Sequence, residues 1–252
     1  PTIDELKQLG YHNIIVVDGH STDKTREIAK AKGAKVILQQ GKGKTDAIKT
    51  AIQHTTTPLT LIMDGDHTYD PHTIPQMLKL AQQYDHIIAA RTNGRQNIPT
   101  LNRLGNWIIT KTFNLLFGTK LKDVCSGMYL LKTTLAKQVL YETKGFSTEV
   151  EIAAHTASTA HKITETPTNY RPRIGKPKLT KKHGLTILLD IIRLTWRYNP
   201  ALLIFTTASL ILIPSLTTAA WVLHQLIFHG VKHHIWAIIA TTGTATGITA
   251  LL

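Results

Sequence analysis

The fold of this chain is indicated most directly by residues 59–66, which read LTLIMDGD. The apolar run at residues 59–63 is short and is typical of a β-strand. Asp64 follows this run directly, and Gly65 allows the backbone to turn sharply before Asp66. We therefore predict a strand whose carboxyl end carries two carboxylates.

Other short apolar runs also end at charged residues. Residues 13–17 precede Asp18, and their apolar string is typical of a strand buried on both faces. Residues 86–90 form a similar run before Arg91. A further short strand is predicted over residues 36–38.

Helical segments separate the predicted strands. Ser21 or Thr22 can cap a helix that ends at Gly33, and helices are also predicted over residues 45–53 and 73–83. Strands that alternate with helices predict an α/β fold with a Rossmann-like, mainly parallel sheet flanked by helices.

The residues that follow the strands are candidates for one ligand site. Because the carboxyl ends of parallel strands lie at one sheet edge, we expect Asp18, Asp64 and Arg91 to converge there. Asp64 and Asp66 offer the hard oxygen ligands that suit Mg²⁺ or Mn²⁺ bound to nucleotide phosphates. Aspartate and glycine are also common in turns, but the position at a strand end favours the metal site.

Further candidates lie near the predicted strand ends. Asp18 is interpreted as a ligand contact and Ser21 as a helix cap. Residues 41–44, GKGK, bring backbone amides and Lys44 near a phosphate, or else form a solvated basic turn. Both interpretations of this loop remain open.

The remaining reactive side chains give weaker signals. Glu149 and Glu151 either bind hydroxyl groups of a ligand, serve as a base, or are exposed glutamates in the first turn of a helix. The thirteen histidines are scattered without ligand spacing, and we assign them no catalytic role. The single cysteine, Cys125, excludes an intrachain disulfide and indicates a reducing compartment.

Composition divides the chain into two regions. Residues 201–252 contain one charged side chain, Lys232, whereas the first 200 residues carry all the others. The uncharged runs at about residues 201–223 and 235–252 predict two transmembrane helices. Buried helices of a larger soluble core are the alternative. Residues 181–200 are predicted to form an amphipathic helix that lies in the membrane interface.

The net charge of +13 suits either a nucleic acid or a membrane surface. Several basic residues, including Lys176, Lys178, Arg193 and Arg197, lie just before the first predicted span, and such charge marks the cytoplasmic side. No aromatic array for base stacking accompanies them, so we expect no nucleic-acid partner. We predict a multi-pass protein of the cell membrane whose N-terminal domain is cytoplasmic.

Several segments share their order and spacing with one enzyme family. They are VVDGHSTDKT at residues 16–25, GKG at 41–43, DGD at 64–66, DP at 70–71, DVCSGM at 123–128 and RYNP at 197–200. With them the chain resembles the family 2 glycosyltransferases of the GT-A fold, and among these the archaeal type of dolichyl-phosphate mannose synthase. The resemblance implies a catalytic domain over residues 1–180. The strand with which relatives begin is expected to be absent.

The resemblance implies a role for each matching residue. Asp18 would contact the nucleoside, and the aspartate pair would hold the donor diphosphate through Mg²⁺ or Mn²⁺. Arg91 and Arg103 would receive the acceptor phosphate, and the segment around Arg173 would close over the donor phosphates. The residues so assigned are catalytic Asp66, Arg91 and Arg103, donor-binding Asp18, Lys44, Asp64, Arg173 and Lys176, and metal-binding Asp64, Asp66 and Thr68.

The implied function is inverting transfer of a sugar from a nucleotide-sugar donor to a polyprenyl (dolichyl) phosphate on the cytoplasmic membrane face, for protein glycosylation or cell-envelope glycans. A phosphate monoester is already nucleophilic at neutral pH, so this acceptor needs no general base. Two alternatives remain open. One is a family 2 enzyme that extends a glycan or polysaccharide, and the other is an inactive, membrane-anchored binding protein of the same fold.

Overall fold

The computed structural model describes residues 1–143, 147–173 and 181–252, which form two compact units, Pro1–Leu194 and Thr195–Leu252. The strands in these residues are β1 (Ile15–Asp18), β2 (Lys35–Leu38), β3 (Leu59–Met63), β4 (His86–Asn93), β5 (Met128–Lys132) and β6 (Ile163–Asn169). The helices there are α1 (Thr2–Gln8), α2 (Thr25–Ala31), α3 (Gly43–Gln53), α4 (Ile74–Leu80), α5 (Thr100–Phe117), α6 (Thr133–Gln138), α7 (Thr148–Ala157), α8 (Lys181–Tyr198), α9 (Pro200–His229) and α10 (His234–Thr249).

The strands of the first unit form two hydrogen-bonded sheets within the described ranges. β1 pairs with β2 in parallel, and the second sheet has the order β3-β5-β4-β6. β4 and β6 are parallel, whereas β5 runs antiparallel to both β3 and β4. The described sheets are therefore mainly parallel, as predicted, with β5 the one described strand that runs against its neighbours. An apolar run indicates that a strand is buried, but it does not indicate the direction of the neighbouring strands.

One face of the larger sheet packs an apolar core cluster of the first unit. Ile87 of β4 and Leu130 of β5 share one face, where they belong to the same cluster as Met77 of α4 and Leu6 of α1. All four side chains are at most 9% exposed. Burial of this kind is the main favourable term in folding, and it fixes the ends of β3 and β4, from which the polar site residues follow.

β1 is less buried than its apolar sequence predicts. Ile15, Val16 and Val17 are only partly buried, whereas Asp18 at the end of the strand is 3% exposed. Among the described strands, β1 is hydrogen-bonded to β2 alone. The prediction that this strand is buried on both faces is therefore met only in part, since its apolar side chains keep some exposure.

α2 begins later than predicted. The Ser21 N–H donates to Asp18 Oδ2 at 3.0 Å, and the helix begins at Thr25, whose N–H donates to Asp23 Oδ1 at 3.0 Å. Ser21 therefore closes a turn on Asp18 and is not the N-cap of the helix. Gly33 follows α2 with φ +71°, in agreement with the predicted helix end.

The second unit contains α9 and α10, which are separated by Gly230 and three further residues. Among the described residues, α9 is the one helix long and apolar enough to cross a membrane, with 30 residues and a mean hydropathy of 1.8. α10 has 16 residues and is shorter than the span predicted at residues 235–252. It packs on α9, where a Cβ atom on Gly243 would lie 2.1 Å from Ser215 Oγ.

Candidate active site

Asp64 lies directly after β3, against the backbone of Gly127. The Asp64 N–H donates to the Gly127 carbonyl oxygen at 3.1 Å. A Cβ atom on Gly127 would lie 2.2 Å from Asp64 Oδ2, so only glycine leaves room for this carboxylate. The Asp64 side chain is 31% exposed. The carboxylate is therefore fixed in position and still accessible to a ligand.

Asp66 is oriented by Thr68 and Arg173. Thr68 donates to Asp66 Oδ1 from its hydroxyl at 2.6 Å and from its N–H at 3.2 Å. Arg173 Nη1 lies 2.9 Å from Asp66 Oδ2. Because Thr68 is fully buried, its hydroxyl orients the carboxylate, and its role as a metal ligand stays a prediction.

Lys44 joins Asp64 to a buried glutamate. Lys44 Nζ lies 2.8 Å from Asp64 Oδ1 and 2.5 Å from Glu149 Oε1. Burial opposes the charge of Lys44, but Glu149 and Asp64 outweigh burial and raise the pKa of the ammonium. Burial also raises the pKa of the Glu149 carboxyl, and the charge of Lys44 opposes this rise. Lys44 is therefore not part of a solvated basic turn.

The two glutamates of α7 are buried, so the interpretation of Glu149 and Glu151 as exposed first-turn glutamates is wrong. Glu149 is 5% exposed and Glu151 is 1% exposed. Glu151 accepts from the N–H groups of Glu142 and Thr143 at 2.8 and 2.9 Å and from the Thr143 hydroxyl at 2.6 Å. Glu151 therefore ties residues 142–143 to α7, whereas Glu149 is directed towards Lys44.

The aspartate pair has the chemistry of a divalent-cation site. Both residues offer carboxylate oxygens, which are the ligands that Mg²⁺ and Mn²⁺ prefer. Each carboxylate already lies beside a cationic group of the chain, Lys44 at Asp64 and Arg173 at Asp66. The space beside these oxygens therefore accommodates positive charge, and Asp64 and Asp66 would hold the cation.

A second acidic group lies beside Arg171. Glu5 accepts from Nη1 and Nη2 of Arg171 at 2.8 and 2.7 Å, and Asp70 accepts from Nη2 at 3.0 Å. His72 lies near both carboxylates. The negative charge of this group is compensated by Arg171, which fastens α1 to the segment after β6.

Asp18 keeps one carboxylate oxygen available for a ligand. Its Oδ2 accepts the Ser21 N–H, and Arg26 Nε lies 3.6 Å from the same atom. Its Oδ1 is buried and has no hydrogen-bond partner within the described residues. The Ser21 side chain is the largest cause that holds the pKa of Asp18 below its ordinary value. An unpartnered buried acceptor of this kind suits a donor group on a bound ligand.

Arg91 is held by Asp123, and both residues line a pocket. Arg91 Nε and Nη2 donate to the two Asp123 oxygens at 2.6 and 2.8 Å, and Nη2 also donates to the Cys125 carbonyl at 3.1 Å. The Arg91 guanidinium lies 5.4 Å from the centroid of the Tyr170 ring. Burial opposes the charge of Arg91, but Asp123 outweighs it and raises the pKa of Arg91.

The pocket above Arg91 combines basic and apolar residues and has a volume of about 390 Å³. We call it the basic pocket. Arg103 of α5 contributes to its wall, as do two basic residues that the sequence did not identify, Arg95 and Lys122. Its apolar wall is formed by Ile98, Leu104 and Trp107. An anionic group attached to an apolar chain suits such a lining.

Residues 123–127 connect the basic pocket to Asp64. Asp123 lines the pocket and Gly127 supports Asp64. The Gly127 N–H donates to the Tyr69 hydroxyl at 2.6 Å, and the Ser126 hydroxyl donates to the Ala89 carbonyl at 2.5 Å. Two adjoining groups therefore contain most of the predicted residues, Lys44, Asp64, Asp66, Thr68 and Arg173 in one, and Arg91 and Arg103 in the other. The side-chain contacts described for Asp18 are with Ser21 and Arg26 and join it to neither group. The predicted donor residue Lys176 lies outside the described residues.

The fold and this site define the chain as a glycosyltransferase of the GT-A type. Residues 1–140 match the family model described as "Glycosyl transferase family 2". The chain belongs to this family, and the family and fold predicted from the sequence are confirmed.

Relatives and solved structures agree with this assignment. The chain is 31% identical to "Glycosyltransferase AglJ" of Haloferax volcanii, over 99% of this chain and 85% of that protein. It is 34% identical to "Dolichyl-phosphate hexose transferase" of the same organism, over 68% of this chain and 75% of that protein.

The similar solved structures include glucosyl-3-phosphoglycerate synthase from Mycobacterium tuberculosis, with a TM-score of 0.63 and 16% identity over 77% of this chain and 74% of that one. A complex of that enzyme with Mn²⁺, UDP-glucose and phosphoglyceric acid has a TM-score of 0.61 and 16% identity, over 77% and 73% of the two chains. These similarities establish the fold.

Proposed function

We propose that this chain transfers a sugar, with inversion, from a nucleotide-sugar donor to a polyprenyl (dolichyl) phosphate at the cytoplasmic face of a membrane. The observation that carries the proposal is the basic pocket, in which Arg91, Arg95, Arg103 and Lys122 share a lining with apolar side chains. A lipid phosphate has both features that this lining recognises, an anionic head and an apolar tail. The name of the haloarchaeal dolichyl-phosphate hexose transferase supports the same acceptor class.

The charge arrangement in the basic pocket suits a phosphate nucleophile. Asp123 is the one carboxylate among the described residues of the lining, and both of its oxygens accept hydrogen bonds from Arg91. Asp123 is therefore poorly placed to remove a proton from a hydroxyl. A phosphate monoester needs no such base, because its oxygen is already anionic at neutral pH. Arg91 and Arg103 would reduce the repulsion between the acceptor phosphate and the donor diphosphate.

The donor would lie along the aspartate pair. Asp18 Oδ1 would accept a hydrogen bond from the nucleoside, and Asp64 and Asp66 would hold Mg²⁺ or Mn²⁺. When bound, this cation supplies positive charge that neutralises the donor diphosphate. Arg173, 2.9 Å from Asp66, would stabilise the charge that develops on the leaving group. Attack in line with that group by the acceptor oxygen would invert the anomeric carbon.

In addition to α9, two other helices support a membrane location. α5 exposes Leu101, Leu104, Trp107, Ile108 and Leu115, which are 38–79% exposed. α8 exposes Leu189, Ile192 and Trp196, at 59, 54 and 64%, while Ile191 and Leu194 of the same helix are buried. Exposed apolar side chains of this size suit the headgroup region of a bilayer.

The topology that we propose is multi-pass with a cytoplasmic catalytic domain. α9 would cross the membrane, and α10, which packs on α9, would return towards the cytoplasm. Arg193 and Arg197 lie just before α9, where positive charge marks the cytoplasmic side.

The test uses membranes that contain the full chain, incubated with labelled nucleotide sugars and dolichyl phosphate. We expect label in the lipid phase with at least one donor, and about 10²-fold less with Arg103→Ala. Lys111→Ala is the matched control, because Lys111 is an exposed basic residue of the same helix outside the pocket lining. Equal activity of both variants would contradict the acceptor assignment.

A second candidate, extension of a glycan, is favoured by one observation. Glu149 is a buried carboxylate linked through Lys44 to Asp64, and a hydroxyl acceptor would require a carboxylate base. The same membranes incubated with a glycan acceptor separate the two functions, because this candidate predicts label in the glycan and none in the lipid.

A further inference from the structure

We infer that Glu149 is a positioning residue that gives Lys44 a second anionic partner and so allows a divalent cation to occupy Asp64. The inference rests on the metal site of the proposed function, to which it adds a residue outside the aspartate pair. In this arrangement Glu149 does not bind the cation. It acts through Lys44.

Lys44 shares its ammonium between carboxylates from two separate elements. Asp64 follows β3 and Glu149 lies in the first turn of α7, and their oxygens are 2.8 and 2.5 Å from Lys44 Nζ. The Glu149 carboxylate therefore lies within about two hydrogen-bond lengths of the Asp64 carboxylate. The ammonium can remain paired with Glu149 when another cation takes Asp64 Oδ1.

Glu149 is held in place by the packing of α3 against α7. The neighbouring residues Thr45 and Thr148 are joined by a hydroxyl–hydroxyl hydrogen bond of 2.6 Å, and both are buried. Two consecutive positions on each helix therefore face each other, Lys44 with Glu149 and Thr45 with Thr148. This register fixes the glutamate side chain, which is 5% exposed, opposite Lys44.

Removal of the Glu149 charge changes what a cation must displace. Asp64 would become the sole carboxylate partner of Lys44 in the described chain, so a divalent cation would compete with the ammonium for the same oxygen. Lys44 is only 24% exposed, and a displaced ammonium would lack a counter-charge in a region with little water. Arg173 at Asp66 differs because it is an exposed residue, so water can take over its solvation.

The experiment measures Mn²⁺ binding to the purified full chain in detergent micelles, by the electron paramagnetic resonance signal of free Mn²⁺. Asp66→Ala defines the signal that belongs to the aspartate site. We expect Glu149→Gln to weaken Mn²⁺ binding at least about tenfold, because Lys44 then competes fully for Asp64. In the Lys44→Met background the same glutamine substitution should change the affinity by less than about threefold.

Glu151→Gln is the matched control, since Glu151 is a buried glutamate of the same helix whose hydrogen bonds, within the described residues, go to residues 142–143. We expect it to lower thermal stability and to leave Mn²⁺ affinity unchanged. The inference is overturned if Glu149→Gln binds Mn²⁺ like the wild type, or if this substitution weakens binding as much in the Lys44→Met background as in the chain that keeps Lys44. If the wild type and Asp66→Ala bind Mn²⁺ equally weakly, the metal site of the proposed function fails as well.

Discussion

Replacement of Asp123 by alanine is expected to destabilise the first unit strongly. The substitution removes an acceptor that takes hydrogen bonds from Arg91 N, Nε and Nη2 at 3.1, 2.6 and 2.8 Å. The two side chains are only 9% and 7% exposed, so water cannot fully replace the lost carboxylate. Arg91 would remain as a buried charge without its counter-ion.

The expected cost is large relative to the stability of a protein domain. Removal of one partner from a buried ion pair costs about 3–5 kcal/mol, whereas a domain is stable by about 5–15 kcal/mol. The double replacement Arg91→Met with Asp123→Leu removes both charges. It should therefore recover most of the loss, since apolar residues of similar volume often substitute well for a buried pair.

The free energy of unfolding can be measured by urea titration of the full chain in detergent micelles, followed by circular dichroism. Lys122→Ala is the control, because Lys122 is an exposed neighbour whose loss should cost less than about 0.5 kcal/mol. The reasoning is refuted if Asp123→Ala costs less than about 1 kcal/mol, or if the double variant is less stable than Asp123→Ala.

Three further predictions concern other parts of the first unit. Gly127→Ala should displace the Asp64 carboxylate, because the added Cβ would lie 2.2 Å from Oδ2, and should weaken Mn²⁺ binding in the resonance assay. Burial lowers the pKa of His86 to about 3, so the folded state binds its proton less readily than the unfolded state does. The contribution of neutral, buried His86 to the free energy of unfolding is complete above the ordinary histidine pKa and is lost progressively as the pH falls towards 3. From pH 7 to 5 the loss is about 2 kcal/mol. His86→Leu should remove that part of the pH dependence of urea unfolding. Arg171→Leu should increase hydrogen exchange in α1, since Arg171 binds Glu5 through two nitrogens.

Each of these predictions has an outcome that contradicts it. Unchanged Mn²⁺ affinity in Gly127→Ala would show that Asp64 adjusts without loss. If the free energy of unfolding falls equally between pH 7 and 5 in the wild type and in His86→Leu, that fall belongs to other groups. For α1, Lys49→Leu serves as the control, and equal exchange in this variant and in Arg171→Leu would mean that the Glu5 pair does not fasten the helix.

The sequence predicted an element well where a change of residue type along the chain marks both of its ends. β3 occupies the predicted residues 59–63, because its apolar run is bounded on both sides by turn residues. The helix after Asp18 was placed too early, since the Ser21 N–H bonds back to the Asp18 carboxylate. A capping residue and a turn residue have the same chemistry, and only the fold decides between them.

Long-range partners could not be predicted from the chain. Lys44 and Glu149 are distant in sequence, and so are Arg91 and Asp123, yet each pair is in direct contact. β6 was not predicted, because its sequence, ITETPTN, is mostly polar and contains no apolar run. It is a strand because it pairs with β4, which is an effect of tertiary structure that outweighs local propensity.

The segment at residues 123–127 has a consequence for acceptor choice. One of its ends is fixed to Arg91 and the other to Asp64. In the proposed function, its length would set the separation between the acceptor phosphate and the donor diphosphate. An insertion or deletion of one residue there would leave both binding groups intact and still misalign the two reactants, and the length of this segment offers a way to sort family members by the size of the acceptor head that they accommodate.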